Sequence, residues 1–398
     1  MTTEPASPRV ARPPADFLSD KVRSLKPSGI RRFFDMLAEM KDVISLTIGE
    51  PDFTTPEPIT RAAIASLEAG ETHYTANGGM VELREAIVAD LEARYGISYH
   101  ARDELIITVG ASEAVDAALR AICDPGDEVI YHEPTFVAYA PCITLAGGVP
   151  VAIATGDETD FRITAAQLEA AITPRTKALF LAYPNNPTGA VLDREQLDEI
   201  AAVVERHDLM VITDEIYERL VYGGHEHVPF SALPGMWERT VLIGGFSKSY
   251  AMTGWRIGFC AGPKELVKAM DTLQGQSTTN PSAISQAAAL AALTGPQDSV
   301  AEMHAEFDRR RKKMTELLRA IPGVQISEPR GAFYCFPDLG HYGKDDLALA
   351  DHILEKGRVA VVPGTGFFAP GFVRLSYATS MKNVEEGVAR IAEALKAL

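Results

Sequence analysis

The sequence predicts an α/β fold, with a large domain whose mostly parallel sheet is covered by helices on both faces and a smaller α+β domain. Between about residues 104 and 243, apolar runs alternate with helical patterns, as in strands joined by crossover helices. After residue 296 come a long charged helix, short strand patterns and a closing helix. The length of 398 residues also exceeds what one core usually serves.

Two amphipathic helices are expected before the alternating region. One covers residues 30–41. The other covers residues 80–95, because Leu83, Ile87 and Leu91 fall on one stripe of a helix.

Four apolar runs in the alternating region end in turns, at the strand ends where open α/β sheets bind their ligands. After the first run, 104–109, a helical pattern opens with Gly110, Ala111 and Ser112. Such a start presents unpaired backbone N–H groups and a positive dipole end, where a phosphate fits. The alternative is an ordinary turn whose glycine only relieves backbone strain.

The second run, 177–183, opens into a turn with two prolines, which forbid a continuing strand or helix. They hold Asn186 at the edge of the sheet, where its amide can donate to a ring oxygen or a carboxylate. The alternative is a turn with purely local causes.

The third run, 209–213, is followed by Asp214, whose carboxylate needs a cationic partner in a place with little water. A protonated pyridine nitrogen of a bound cofactor is one candidate. Tyr217 is placed to hydrogen bond a phenolic oxygen of such a cofactor. The alternative is that Asp214 caps a helix over residues 215–220.

The fourth run, 240–243, leads into a glycine-rich turn that presents Lys248 and, eight residues later, Arg256. Lysine does covalent chemistry only when its amine is free of its proton, which a positive neighbour or poor solvation favours. A lysine that forms a Schiff base beside a phosphate-holding group is what a pyridoxal phosphate enzyme requires. The alternative is a surface turn with two solvated cations.

Arg374 lies in an alternating segment near the C-terminus, 372–377. Its planar guanidinium matches a carboxylate with two parallel hydrogen bonds, which a lysine cannot make. The alternative is an exposed strand arginine paired with an acid.

With these features together, the chain resembles the class I/II aminotransferases of pyridoxal phosphate fold type I, particularly the prokaryotic branch that includes aspartate and aromatic aminotransferases. The resemblance runs almost end to end. Its motifs are LTIGEPDF (46–53), YTANGG (74–79), YPNNPTG (183–189), TDEIYE (213–218), GFSK (245–248), MTGWRIG (252–258) and VRLSYA (373–378).

The resemblance implies how the cofactor ring is bound. Lys248 would form the internal aldimine with pyridoxal 5'-phosphate and later shuttle the substrate proton. Asp214 would keep the ring nitrogen protonated, and Tyr217 and Asn186 would bind the ring oxygen. Phe136 would stack on the face of the ring.

The resemblance also implies how the phosphate is held. The N–H groups of Ala111 and Ser112 would bind it together with Ser247 and Arg256. Tyr74 would reach it from the other subunit of a homodimer.

For the substrate, the resemblance implies that Arg374 clamps the α-carboxylate with help from Gly49 and Asn186. The implied reaction moves the amino group of an L-amino acid to a 2-oxo acid such as 2-oxoglutarate. The implied domains are 1–50, an N-terminal arm and part of the small domain, 51–296, the large cofactor-binding domain, and 297–398, the small C-terminal domain.

Two departures from this family bear on function. Many relatives carry a serine where this chain has Gly245, so one phosphate hydroxyl is missing. Aspartate-preferring members can carry lysine at the position of Ser112 and tryptophan at that of Phe136. Their absence leaves the distal carboxylate of aspartate without a cation, which favours an aromatic or broad range of donors.

Rival functions share part of this pattern. Aspartate aminotransferase and a pyridoxal phosphate β-elimination lyase use the same residues. A ligand-sensing regulator would need a further DNA-binding domain, and the Pro-rich start of the chain offers no helix-turn-helix. A nicotinamide dehydrogenase lacks its G-x-G-x-x-G after a strand.

Composition agrees with a cytoplasmic enzyme that binds small molecules. The net charge of −16 disfavours nucleic acid and anionic membranes as partners. The first twenty residues lack the apolar segment of a signal peptide or anchor. The four cysteines are far apart, which indicates neither a zinc site nor disulfides, and the pair His225 and His227 lacks the spacing of a helical metal motif, so we expect no metal.

Overall fold

The computed structural model describes residues 13–25, 42–343 and 345–398, so the helix expected over 30–41 lies outside the described residues. The helices of the described chain are α1 Asp20–Ser24, α2 Glu57–Glu68, α3 Val81–Tyr95, α4 Gly110–Ile122, α5 Tyr139–Ala146, α6 Ala165–Ala171, α7 Arg194–Arg206, α8 Lys264–Gly275, α9 Ala283–Thr294, α10 Asp298–Arg319, α11 Asp346–His352 and α12 Met381–Lys396. Shorter 3-10 turns are Pro14–Phe17, Asp157–Thr159, Phe230–Ala232, Trp237–Arg239, Thr253–Trp255, Gly340–Tyr342 and Gly364–Phe367, and a π-helical turn is Ile353–Gly357.

A seven-stranded sheet forms the centre of the molecule. Its strands are β2 Leu105–Thr108, β3 Glu128–Glu133, β4 Val149–Ala154, β5 Thr176–Leu181, β6 Met210–Asp214, β7 Thr240–Gly245 and β8 Gly258–Ala261, with β1 Ile44–Ser45 outside this sheet. The spatial order is β2-β8-β7-β6-β5-β3-β4, and β8 alone among these strands runs antiparallel to its neighbours. The carboxyl ends of β2, β5, β6 and β7 therefore lie along one edge of the sheet.

Helices bury both faces of this sheet. Successive strand residues point to opposite faces, as Leu179 and Phe180 of β5 illustrate. Leu179 packs in an apolar cluster with Ile200 of α7, whereas Phe180 packs in another cluster with Ala118 of α4. The predicted α/β architecture, a mostly parallel sheet covered on both faces, is confirmed.

Smaller sheets lie towards the C-terminus. Their strands are β9 Tyr334–Cys335, β10 Val359–Ala360, β11 Val362–Pro363 and β12 Val373–Ser376. The order β11-β12-β9 is antiparallel throughout, and β1 pairs with β10 in parallel. Apolar residues of α10 and α12, such as Phe307 and Ile391, cover these strands in a cluster that also holds Leu46. The domain limits 1–50, 51–296 and 297–398 stay a prediction.

The predicted strands appear with bounds shifted by one or two residues. The alternative interpretation of Asp214, as the cap of a helix, is wrong: this residue ends β6 and residues 215–220 form a turn instead of a helix. No helix of the described segments is long and apolar enough to cross a bilayer.

Candidate active site

A cavity of about 620 Å³ opens beyond the carboxyl ends of β2, β5, β6 and β7, on the side of the β9, β11 and β12 strands. Its size is typical of a small-molecule site. The structure brings eleven of the twelve sequence-predicted site residues to its wall: Gly49, Ala111, Ser112, Phe136, Asn186, Asp214, Tyr217, Ser247, Lys248, Arg256 and Arg374.

Tyr74 is the predicted site residue that does not line this cavity. Its side chain is 91% exposed, beside a surface hollow lined by residues 71–74 and 280–284. Within one chain, Tyr74 therefore has no role in the cavity.

Lys248 follows β7 and projects into the cavity. Its Nζ donates a hydrogen bond of 2.6 Å to the carbonyl oxygen of Gly49. Burial, followed by the positive charge of Arg374, lowers the pKa of Lys248 to about 8. A substantial share of this amine is consequently free of its proton near neutral to mildly basic pH, as a nucleophilic lysine requires.

Asp214 ends β6 and is buried. Burial raises the pKa of Asp214 to about 6, while hydrogen bonds from the Tyr139 hydroxyl, 2.9 Å to Oδ2, and from the Ile216 N–H, 3.2 Å to Oδ1, oppose the shift. A carboxylate in this setting binds a cationic N–H strongly, because water competes little for it.

An anion cradle lies at the start of α4. Ala111 and Ser112 are in its first turn, where backbone N–H groups have no acceptor within the helix. A Cβ added at Gly110 would come 2.6 Å from Nη2 of Arg256, and one at Gly258 would come 2.7 Å from the nitrogen of Ala111. Only glycine allows the guanidinium and the helix start to approach this closely, and the phosphate of pyridoxal phosphate fits their joint charge.

The absence of a serine hydroxyl at Gly245 has a steric explanation. A Cβ at this position would come 2.9 Å from Cδ1 of Ile216 and 3.2 Å from the Cα of Gly258. The isoleucine thus occupies the space that a serine would need, and Ser247, which is buried and lines the cavity, is a hydroxyl that this turn still offers.

Arg374 of β12 is buried at the opposite wall. Its Nη1 donates to Oδ1 of Asn186 at 2.9 Å and its Nη2 donates to the carbonyl oxygen of Thr47 at 2.7 Å. Its Nε is buried without an acceptor among the residues that the structure describes, so the guanidinium keeps donor capacity for an anion. Aromatic rings of Tyr334 and Phe367 lie 4.6 and 5.0 Å from its Cζ.

Sequence reasoning missed several wall residues. Tyr139 bonds Asp214, and Tyr334 bonds the hydroxyl of Tyr217 at 2.8 Å. Tyr334 stands in the aromatic run 333–336, which reads as an ordinary buried strand. Tyr139 follows the predicted site residue Phe136 by three residues, and this closeness in the chain is the signal that could have found it.

Comparison with known proteins decides the family. The model of the family described as aminotransferase class I and II matches residues 41–391. The chain belongs to this family.

Its relatives span nearly the whole chain. It is 47% identical over 377 residues to the putative aminotransferase YugH of Bacillus subtilis, covering 94% of this chain and 97% of YugH. It is 43% identical to an aspartate aminotransferase of Geobacillus stearothermophilus, covering 94% and 98%. The crystal structure of an aromatic aminotransferase from Pyrococcus horikoshii aligns with a TM-score of 0.88 at 42% identity, covering 92% of this chain and 99% of that one.

This aminotransferase uses pyridoxal phosphate, as class I/II members of this kind do. The residues present fit the cofactor by their chemistry: an anion cradle at α4, a buried carboxylate at Asp214 and an amine of lowered pKa at Lys248 share one cavity.

Proposed function

We propose that this aminotransferase moves the amino group of an L-amino acid with an aromatic side chain, or of a broad range of donors, to a 2-oxo acid such as 2-oxoglutarate. The observation that carries the proposal is the joint presence of Lys248, Asp214 and Arg374 in one cavity. They supply a nucleophilic amine, a buried negative charge and a carboxylate-binding guanidinium.

We assign the proton chemistry to Lys248 and Asp214. The bound cofactor supplies an aldehyde that condenses with amines and a ring that spreads negative charge. Lys248 would hold the cofactor through Nζ and, once its amine is free, would carry the α-proton of the substrate as general base and acid. Asp214 holds the proton on the ring nitrogen, which keeps the ring cationic.

Positioning falls to the other wall residues. Tyr217 and Asn186 bind the ring oxygen and Phe136 packs against the ring. The phosphate binds to the start of α4 at Ala111 and Ser112.

Ser247 and Arg256 complete this phosphate site from the turn after β7. Arg374 binds the substrate α-carboxylate, and Gly49 and Asn186 complete that subsite.

The donor class follows from charge. The cations among the described residues of the cavity wall are Lys248, Arg256 and Arg374, and each is assigned to the cofactor or to the α-carboxylate. Among the described residues of this wall, no further cation is available to a second substrate carboxylate. Ile48 and Phe367 offer apolar surface instead, which favours an aromatic or aliphatic side chain.

Aspartate is the second candidate donor, because a relative at 43% identity is named an aspartate aminotransferase. Specificity within this family therefore needs a direct measurement. A panel of tyrosine, phenylalanine, alanine and aspartate with 2-oxoglutarate separates the two: kcat/KM is expected to be higher for an aromatic donor, and the reverse ranking refutes the proposed donor class.

The catalytic assignment is tested with Lys248→Ala. We expect it to stay folded and to lose turnover by at least about a thousandfold, since a positioned base commonly contributes on the order of a hundred- to ten-thousandfold and the covalent link is lost as well. Lys264→Ala is the matched control, because Lys264 pairs with Asp103 on the surface.

Comparable transamination by Lys248→Ala would overturn the assignment. Product analysis completes the test: glutamate and a new 2-oxo acid indicate transamination. Ammonia and pyruvate from a cysteine conjugate indicate β-elimination instead.

We also propose that the chain forms a homodimer in which Tyr74 reaches the partner's phosphate site. The position of its ring supports this, since the 91% exposed side chain lies beside a surface hollow and is free to contact a second chain. Mixing Tyr74→Ala and Lys248→Ala proteins tests it: hybrid dimers regain one intact site, so activity should recover above that of either parent. No recovery despite subunit exchange refutes the shared site.

We also propose that the protein is cytoplasmic and that its chain divides into three segments. All four cysteines are free, as expected in a reducing compartment. The segments are 1–50 for the arm and part of the small domain, 51–296 for the cofactor-binding domain and 297–398 for the small domain. Limited proteolysis near residues 50 and 296 checks these boundaries.

A further inference from the structure

Tyr334 lies between the two halves of the cavity. It is fully buried in β9, which pairs with the Arg374 strand β12 through Tyr334 and Ser376. The hydroxyl of Tyr334 is 2.8 Å from that of Tyr217, and its ring centroid is 4.6 Å from Cζ of Arg374. One side chain thus contacts both the proposed ring-oxygen ligand and the proposed carboxylate clamp.

Gly49 marks how tightly this hydroxyl is placed. A Cβ added at Gly49 would come 3.0 Å from the hydroxyl oxygen of Tyr334. The phenol is therefore confined between the segment that precedes α2 and the turn after β6, and the hydroxyl of Tyr217 is its hydrogen-bond partner.

We propose that Tyr334 is a positioning residue that couples the cofactor end of the cavity to the carboxylate clamp, by donating its hydroxyl proton to Tyr217 and by holding the Arg374 guanidinium flat against its ring. This inference rests on the proposed function and goes beyond it, since that function assigns no role to Tyr334.

The number of protons that the two phenols can donate supports a hydrogen bond directed from Tyr334 to Tyr217. Burial raises the pKa of both phenols, so both hydroxyls carry their protons. Each phenol has one proton to donate. When Tyr334 donates to the Tyr217 oxygen, the proton of Tyr217 stays free for the ring oxygen, and chained hydrogen bonds of this kind strengthen one another.

The ring of Tyr334 has a separate role. A guanidinium over an aromatic face is attracted by the ring quadrupole, and Phe367 provides a second ring 5.0 Å from the same Cζ. The two rings limit how the guanidinium can turn. Its donors therefore point in a fixed direction, which preorganises a bidentate grip on a carboxylate.

Tyr334→Phe isolates the hydroxyl, because it keeps the ring. The visible absorbance of the enzyme loaded with pyridoxal phosphate changes with pH as the proton shared by Lys248 Nζ and the ring oxygen is lost. A weaker Tyr217 donor leaves that oxygen more basic. We expect the midpoint to rise by about 0.5 pH unit, on the scale of one neutral hydrogen bond.

A double-mutant cycle tests whether this effect passes through Tyr217. In a Tyr217→Phe background, Tyr334→Phe should move the midpoint no further. An unchanged midpoint in Tyr334→Phe, or an equal shift in both backgrounds, overturns the coupling and leaves Tyr334 a space-filling residue.

Tyr334→Leu and Phe367→Leu test the clamp. The probe is 3-phenylpropanoate, which has the carboxylate and ring of a donor but no amine, and its dissociation constant for the loaded enzyme is read from the spectrum. We expect both variants to weaken it about tenfold, on the scale of a desolvated cation–π contact. Phe367→Leu, which lacks the contact to Tyr217, should leave the pH midpoint in place; wild-type affinity in Tyr334→Leu refutes the clamp role.

Failure of the proposed function gives a different result from failure of this inference. A wild-type protein that neither takes up pyridoxal phosphate nor transaminates contradicts the function itself. If the wild type takes up pyridoxal phosphate and transaminates, but Tyr334→Phe does not shift the pH midpoint of absorbance, only the coupling is contradicted. Thermal unfolding of each variant verifies the fold, and if Tyr334→Leu is unfolded, the phenylalanine variant and Phe367→Leu still decide the matter.

Discussion

The hydroxyl of Tyr139 donates a hydrogen bond of 2.9 Å to Oδ2 of Asp214, and both side chains are buried. Burial raises the pKa of Asp214 to about 6, and the bond from Tyr139 opposes that rise. A donor to the charged form of a carboxyl stabilises that form. Tyr139 therefore helps to keep Asp214 ionised, as its proposed pairing with a cationic ring nitrogen requires.

Replacing this tyrosine should impair catalysis through Asp214. A hydrogen bond to a charged group contributes about 1.5–3 kcal/mol, so we expect Tyr139→Phe to lower kcat about tenfold if about half of that reaches the transition state. Single-turnover kinetics with saturating donor measures the effect. In an Asp214→Asn background the same substitution should cost little more.

A buried tyrosine outside the cavity provides the control. Tyr222 donates to the carbonyl oxygen of Ala332, and Tyr222→Phe should leave kcat within about twofold. An equal loss from Tyr139→Phe with and without Asp214 would show that the hydroxyl acts by another route.

The sequence was sufficient for the fold, and eleven of the twelve residues it singled out line the cavity, for local reasons. Asp214 and Lys248 follow apolar runs directly, so strand ends and turns located them. Tyr334 and Tyr139 were not predicted, because their hydrogen bonds join residues that are 117 and 75 positions apart in the chain. A sequence does not distinguish buried aromatic residues that fill a core from those that face a ligand.

Asp214 should also make the stability of the cofactor-free protein depend on pH. Its folded pKa of about 6 lies above the ordinary value of 3.8, so folding favours the protonated form. The resulting stabilisation is complete below about pH 4 and is lost as the pH rises through about 6. We expect the unfolding free energy of Asp214→Asn, relative to wild type, to increase by about 3 kcal/mol from pH 4 to pH 8.

Urea unfolding of both cofactor-free proteins across this range measures the difference. Asp208→Asn serves as the control, because this carboxyl is 92% exposed. A difference between Asp214→Asn and wild type that does not change with pH would contradict the raised pKa of Asp214.

Covalent uptake of the cofactor should follow the ionisation of Lys248. With a pKa of about 8, about one tenth of this amine is free at pH 7 and about nine tenths at pH 9, so the rate should rise about tenfold and then level off. Stopped-flow absorbance of the cofactor-free protein mixed with pyridoxal phosphate records it. Nα-acetyllysine, whose amine has an ordinary pKa, should keep gaining rate above pH 9; the same profile for the enzyme would contradict a lowered pKa of Lys248.

The donor preference should be open to change at Ser112. This exposed residue lies in the first turn of α4 and lines the cavity. Its proposed contact to phosphate uses the backbone N–H, which substitution preserves. A lysine there would bring an ammonium group towards the distal end of the substrate. We expect Ser112→Lys to raise kcat/KM for aspartate relative to phenylalanine about tenfold, because a charge-assisted hydrogen bond to a carboxylate contributes about 1.5–3 kcal/mol.

Ser112→Met separates charge from side-chain length, since methionine is nearly as long as lysine but neutral. The gain for aspartate should appear only with the lysine variant and should shrink as salt screens the ion pair. An equal change in both variants would attribute the effect to shape. An aspartate preference already present in the wild type would show instead that a second carboxylate is bound without a cation from the wall, and Ser112→Lys would then add little.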